Sequence, residues 1–459
     1  MQLASVRERG RWGRLLGPSG RLPRLHGQDR EILRLAVPAF GALVAEPLFL
    51  LADSAIVGRI GTVPLGGRGI ASQALTTLVN ISIFLAYGTT AAVARQLGAG
   101  RRQEAIRQGI DGLWMATGIG LAVIVLAWPL APEIVRVFGA SPAVSQGAMT
   151  YLRISVLGAP SMLLVLAGTG VLRGLQDTRT TLLVAVAANA VNIALNATFV
   201  LGLRLGLAGS AWGTVIAQTA AAAAYFVVVA RGARRAGVGF GMDLAGLRSA
   251  ATAAAGLILR TLALQAVLVV TTAVAARQGD AAIAAHQVAF RLWNLLALAL
   301  DAIAIAGQAI TGRYLGAGDA VGARAATTRM IWWGAVYGVA FGLALLLARP
   351  LLPGLFAAAP PVRALLLAVL LIVAAQQPVA GVVFVLDGVL IGAGDQRYLA
   401  LAGVLALAVF LPAAWLVHAE HRGLVALWLA YSLWLLARFV TLVLRAHTSR
   451  WLVTGAVRR

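Results

Sequence analysis

The chain has 459 residues, of which 60% are hydrophobic and only 12% charged, with a net charge of +22 carried entirely by arginine on the basic side; a soluble protein carries roughly 25% charged residues. Mean hydropathy of +0.87 and repeated apolar stretches of about 20 residues place it in a bilayer, as helices rather than a barrel, because the stretches are continuous runs and not ten-residue alternations. Cysteine is absent and the five His are scattered, which excludes disulfides, cysteine–zinc sites and thiol catalysis.

In chain order, residues 1–30 hold seven arginines among Gly, Pro and Leu and read as a disordered basic cytoplasmic tail. They lack the uninterrupted apolar core and small-residue cleavage site of a signal peptide. Apolar runs then predict about twelve spans: 32–58, 70–94, 110–131, 148–172, 180–203, 207–230, 250–276, 282–310, 326–348, 362–388, 398–417 and 423–445. Residues 31–230 form an N-terminal six-helix lobe, 231–249 a cytoplasmic linker, 250–446 a C-terminal six-helix lobe and 447–459 a cytoplasmic tail.

The loops alternate in charge. One side receives Arg95, Arg101, Arg102 and Arg107, then Arg173 and Arg179, the linker arginines, Arg313, Arg324 and Arg329, Arg397 and the C-terminal arginines. The other receives Arg59 and Arg68, then Arg136, Arg204, Arg277, Arg349 and Arg363, and Arg422. The rich side is the cytoplasm, so both termini lie inside and the number of spans is even. The basic excess therefore orients the chain and implies no nucleic-acid partner. A bias to Ala, Arg and Gly without Lys resembles a GC-rich bacterial genome, and points to a bacterial plasma (inner) membrane.

Two segments, VLRGLQDTR at Val171–Arg179 and VLIGAGDQR at Val389–Arg397, lie 218 positions apart; LGAG at Leu97–Gly100 and at Leu315–Gly318 repeats at the same shift. The chain is duplicated. Six spans per half is an even number, so both halves enter from the same side and are related by a pseudo-twofold axis along the membrane normal. The expected fold is an all-α polytopic membrane protein of about twelve transmembrane helices in two six-helix bundles.

Acids within a span are costly and are candidates for function: Glu46 and Asp53 in span 1, Asp301 in span 8 and Asp387 at the end of span 10. An internal salt bridge is the alternative, with Arg260 and Arg291 as partners for Asp301 or Asp387. In span 5, Asn189, Asn192 and Asn196 share one helical face, and Thr214 adds a hydroxyl in span 6. At about 1.5 Å per residue, Asn196 lies roughly 24 Å and Asp53 roughly 30 Å from the inner surface, and Thr214 about 10 Å below the outer one. These groups form a candidate pocket for a proton or a Na⁺ in the outer half of the N-terminal lobe; interhelical hydrogen bonding is the other reading of the Asn stripe. Pro38, Pro47 and Pro378 are expected to kink spans 1 and 10.

The string AEPLFLLADSAIVGRIG (Ala45–Gly61) resembles span 1 of the multidrug and toxic compound extrusion (MATE) family, and VLRGLQDTR its loop after span 4. DAIAIAGQAITGRYLGAGD (Asp301–Asp319) and FVLDGVLIGAGDQRY (Phe384–Tyr398) resemble the DNA-damage-inducible F branch. The resemblance implies two six-helix lobes around a V-shaped cavity and efflux of small organic, often cationic or amphipathic, compounds in exchange for inward H⁺ or Na⁺, by a monomer with no cofactor. It places the span-1 acid on Asp53, the span-5 pair on Asn192 and Asn196, and the span-6 threonine on Thr214. The second of the span-5 pair is often Asp in the family and is Asn196 here; a span-7 Glu of another branch is matched only by Gln265. The first departure leaves Asp53 as the main coupling acid, and the second speaks against a Na⁺ site in the C-terminal lobe, so H⁺ is preferred; Asn189, Glu46, Asp301, Asp387, Gln265, Arg260 and Arg291 are candidate cavity or secondary polar groups.

Two other classes compete. A lipid-linked-intermediate flippase would share the architecture but needs several cavity arginines, and only Arg260, Arg291 and Arg438 are intramembrane candidates. A membrane enzyme would need a loop cluster of His, Asp or Glu; Asp177, Asp319 and Asp395 read instead as cap or turn residues in a gate. A nucleotide-driven pump is disfavoured, because the chain has no phosphate-binding G-x-x-x-x-G-K-[ST] loop and no Lys. Asp53 maps at the repeat shift onto Thr271, and Asp387 onto Thr169, so the ionisable chemistry of the two copies differs and ion coupling is expected in the first.

Overall fold

A computed structural model describes residues 27–356 and 359–457. Its helices are α1 (Gly27–Gly58), α2 (Thr62–Ser82), α3 (Phe84–Gly98), α4 (Arg102–Arg136), α5 (Pro142–Leu157), α6 (Ala159–Gly174), α7 (Thr178–Asn196), α8 (Gly206–Ala236), α9 (Leu244–Arg277), α10 (Asp280–Gly316), α11 (Ala320–Ala348), the short α12 (Leu352–Leu355), α13 (Pro360–Gly392), α14 (Gln396–Ala419) and α15 (Gly423–His447). A π-helical turn, Ala197–Gly202, continues α7. Eleven helical units are long and apolar enough to cross a membrane, α2 and α3 together making one of them; α5 and α6, bent by 53° at Gly158, make the twelfth span. Exposed Leu51, Val125, Leu183, Val269, Leu347 and Trp415 form part of the apolar surface that lipid solvates.

The repeat holds through the helix boundaries. Thr62 and Asp280, Arg102 and Ala320, and Thr178 and Gln396 each begin corresponding helices 218 residues apart. In the first lobe α1 packs on α7, α2 on α5, and α6 on α3, α4 and α8; in the second α9 packs on α14, and α13 on α10, α11 and α15. The lobes meet chiefly where α10 crosses α3 and α1, and one apolar core runs through both.

Small residues allow the closest crossings. Gly334, Gly338 and Gly342 recur every fourth residue on α11, and a β-carbon at any of them would press on the backbone of α13 at Gly381, Gln377 or Ala374. This is the small-residue stripe that membrane helices use to approach. The Ala374 carbonyl is also the one that Pro378 leaves without its helical donor. The helices α1 and α13 run without a break through Pro38, Pro47 and Pro378. A break with a 53° bend falls in span 4, beside Pro160, which is the repeat equivalent of Pro378.

Two segment boundaries differ from the sequence reading. Residues 1–26 of the expected tail lie outside the described residues, while 27–30 belong to α1. The expected linker is mostly helical: α8 runs to Ala236 and α9 begins at Leu244. The connection between them is tied to α4 by Trp114 Nε1 donating to the Phe240 carbonyl (3.0 Å) and Gln103 Nε2 to that of Ala236 (2.9 Å). The described part of the C-terminal tail is packed, with Trp451 1% exposed.

Candidate functional site

Asp53 sits five residues before the end of α1, and its carboxylate is 1% exposed. Arg68 donates from Nε to Asp53 Oδ2 (2.6 Å) and from Nη1 to Ser54 Oγ (2.8 Å), and a second nitrogen also pairs with Oδ2. Ser210 on α8 donates to Asp53 Oδ1 (3.2 Å). The sequence reading put Arg68 in an outer loop; it lies inside α2 and is 5% exposed. The signal was in the spacing. Asp53 and Arg68 stand at nearly equal distances from the turn at Gly61, so an antiparallel hairpin sets them at one depth.

Asn196 donates from Nδ2 to Asn192 Oδ1 (2.5 Å), and both are buried. The Asn196 Oδ1 has no hydrogen-bond partner among the described residues and faces Gly213 of α8, where a β-carbon would stand 3.1 Å away. Thr214 bonds to the Ser210 carbonyl (3.1 Å), and the Tyr151 phenol of α5 reaches Thr214 and Ser210. One stretch of α8, Ser210–Thr214, thus touches Asp53 on one side and Asn196 on the other. Asn189 is half-buried further down α7. The π-helical turn starts directly after Asn196, a deviation common at functional positions.

The remaining acids divide. Asp387 on α13 accepts from Arg260 Nε of α9 (3.1 Å) and pairs with a second Arg260 nitrogen and with Arg438 of α15 (3.3 Å). Arg291 is exposed on α10 and pairs with neither Asp387 nor Asp301. Asp301 lies between the lobes, in the field of Arg173 on α6 and Arg260 on α9. Glu46 is exposed on α1 and Gln265 half-buried on α9. Asp111, which the sequence reading passed over, is buried in the third turn of α4 beside Gly246.

The repeated motifs gather at the end where the described chain begins and ends. A β-carbon on Gly98 would strike the Arg313 carbonyl, and one on Gly316 would strike that of Arg95. Arg95 donates to the carbonyls of Ala393 (3.1 Å), Val453 (2.6 Å) and Gly455 (3.2 Å). Its equivalent Arg313 reaches Gln176 Oε1 (3.3 Å) and pairs with Glu31. Arg329 holds Asp29 with two bonds (2.6 and 2.9 Å), and Trp333 Nε1 adds a third at 2.8 Å. Gly455 N donates to the Leu315 carbonyl (2.9 Å). The lobes are therefore clamped together at this end. Asp177 and Asp319 cap α7 and α11, accepting from Thr180 N (3.0 Å) and Gly322 N (2.7 Å). Asp395, at the N-cap position of α14, pairs with Arg445 (2.7 Å).

Comparison with known proteins agrees with this architecture. The MatE family profile matches twice, at residues 38–198 and 257–416, offset by the repeat shift to within one residue. The DNA damage-inducible protein F of Escherichia coli K12 is 30% identical over 91% of this chain and 92% of its own. Protein DETOXIFICATION 43 of Arabidopsis thaliana is 30% identical over 91% of this chain and 90% of its own. A transporter of the MOP superfamily from Pyrococcus furiosus superposes with a TM-score of 0.81 at 20% identity, covering 92% of this chain and 94% of that one.

Proposed function

Since the chain belongs to the MatE family of secondary active multidrug efflux transporters, we propose that it exports small organic substrates in exchange for H⁺, with Asp53 as the acid that couples the two fluxes. It is a multi-pass membrane transporter rather than an enzyme. Its likeness to the DNA damage-inducible protein F supports placement in that branch. We assign it to a bacterial plasma membrane, as a monomer, with the clamped end facing the cytoplasm.

The observation that carries H⁺ over Na⁺ is the Asp53–Arg68 pair. A Na⁺ at this carboxylate would sit beside a guanidinium that already holds Oδ2, and like charges so close repel in a low-dielectric interior. A proton instead neutralises the carboxylate and releases Arg68. The pair closes the outer end of the α1–α2 hairpin. The inner end of the same helix carries Asp29 and Glu31, both bound to the second lobe. One helix of 32 residues thus joins the coupling acid to the clamp, and Pro38 and Pro47 lie between them as points of bending. Protonation at one end can then bias the clamp at the other, which is how a coupling ion shifts an alternating-access equilibrium. Asn192, Asn196 and Thr214 shape the polar wall beside Asp53. We assign Glu46, which has no ion-pair partner among the described residues, to the substrate path, where its charge would suit a cationic or amphipathic compound.

The test is extrusion of a fluorescent cation from proteoliposomes with a pH gradient or a Na⁺ gradient imposed in turn. The pH gradient alone is expected to drive transport, and Asp53→Asn to abolish it. Transport driven only by Na⁺ would replace the ion; unchanged transport by Asp53→Asn would remove Asp53 from the mechanism.

A further inference from the structure

The corner that holds Asp53 recurs in the second lobe with different chemistry. At the shift of 218, Asp53 maps to Thr271, Ser54 to Thr272, Arg68 to His286 and Ser210 to Trp428. The geometry follows the map. Arg68 bonds Ser54 in the first lobe, at 2.8 Å; His286 Nε2 meets the Thr272 hydroxyl in the second, at 3.4 Å. Ser210 touches Asp53 from α8; Trp428 touches His286 from α15, with ring centroids 5.7 Å apart. Thr271 is satisfied by its own helix, bonding the Val267 carbonyl at 2.7 Å. The cation and its counter-charge have been replaced by a single titratable ring.

We propose that His286 is a second proton-binding site, the counterpart in the C-terminal lobe of the Asp53–Arg68 pair. The imidazole is 1% exposed and its Nδ1 has no hydrogen-bond partner among the described residues. Phe290 stacks on it with centroids 5.7 Å apart and planes 19° apart. Among the described residues, the groups around it supply no counter-ion. Its own helix bears exposed Asp280 and Arg291, neither paired with the ring. From α9 come Thr272 and, near the outer end, Arg277, which contacts His418 of α14 (3.3 Å). From α15 come Trp428 and, beyond it, the Tyr431 hydroxyl, unpartnered among the described residues. Arg438 and Arg260 are engaged with Asp387 of α13.

A neutral imidazole suits this enclosure. An imidazolium would place an uncompensated charge among apolar groups, offset only by the faces of Phe290 and Trp428. The proton is therefore held best in a state where this corner meets water, and the present packed state is the one that releases it. Histidine is the side chain that makes such an exchange at physiological pH. The consequence for transport rests on the proton-coupled reading above, but the protonation itself does not.

The test is ¹⁵N NMR of histidine-labelled full-length protein in lipid nanodiscs, with His286→Gln to assign the signal. The expected result is a His286 resonance that passes from neutral to charged as the pH is lowered across the range in which the protein stays folded. In parallel, the pH-dependent quenching of tryptophan emission should be lost in both His286→Gln and Trp428→Phe. In proteoliposomes His286→Gln should lower gradient-driven extrusion and remove the acidic limb of its pH profile, a pattern distinct from the total loss expected of Asp53→Asn. A His286 ring that stays neutral at every pH at which the protein remains folded would overturn the proposal and leave the Asp53 assignment standing. If the Gln variant fails to fold, His286→Asn with the same emission readout decides the matter.

Discussion

Arg68 grips Asp53 from the neighbouring helix, Nε to Oδ2 at 2.6 Å, with both groups buried. The pair makes an intramembrane carboxylate tolerable, and it ties the protonation state of α1 to the position of α2.

Removing one partner leaves an uncompensated charge, which costs about 3–5 kcal/mol where the site is closed. Arg68→Met is expected to lower stability by about that amount, read as the unfolding midpoint in detergent. Asp53→Asn combined with Arg68→Met should recover most of the loss while remaining inactive in gradient-driven extrusion. A double variant as unstable as Arg68→Met alone would show that the two groups do not act as a pair.

Much of this was legible in the sequence. The twelve spans follow from apolar runs, and the two lobes from motifs at one shift. The Asn192–Asn196 contact follows from i, i+4 spacing. What escaped is instructive. Arg68 was assigned to a loop because arginine near a span end reads as an orientation signal; only its pairing across the hairpin makes it intramembrane. Arg291 was offered as a partner for an acid but points outward, because helical phase decides which face a residue takes. The C-terminal segment carries no apolar periodicity, so its packing, set by backbone carbonyls reached from Arg95, left no trace in the pattern.

The glycine seam predicts a conformational bias. A leucine at Gly98 or Gly316 overpacks the contact at a cost of about 1–3 kcal/mol, equivalent to roughly a 5- to 150-fold shift in population. Both variants should favour the state open at the clamped end. The chain has no cysteine, so spin labels on one introduced pair, one in each lobe, report the separation directly. An unchanged distance distribution would show that the seam does not limit opening.

The C-terminal segment acts as a strap across the same seam. Trp451→Ala removes a buried indole and should weaken the strap by about 3–5 kcal/mol, raising alkylation of a single Leu97→Cys reporter. Equal alkylation rates with and without Trp451 would assign the segment a packing role confined to the second lobe.

The α11–α13 crossing depends on Gly338. Gly338→Leu would drive a side chain into the backbone at Gln377 and Pro378, and the expected result is loss of folded protein on size-exclusion chromatography. Gly354 is the control, because a methyl group on its α-carbon would meet open space, and Gly354→Ala should elute as wild type. Normal folding of Gly338→Leu would mean that these helices have slack to part.

Gly98 meets the backbone of Arg313, and Gly316 meets that of Arg95. Position i touches j, and j touches i, which is the rule of an isologous twofold interface between identical subunits. The two halves have diverged in their buried acids, yet this patch keeps the self-complementary geometry of a homodimer. In the fused chain the same reciprocity means that each half supplies both the glycine of one contact and the backbone of the other, so opening the seam must break two equivalent contacts at once.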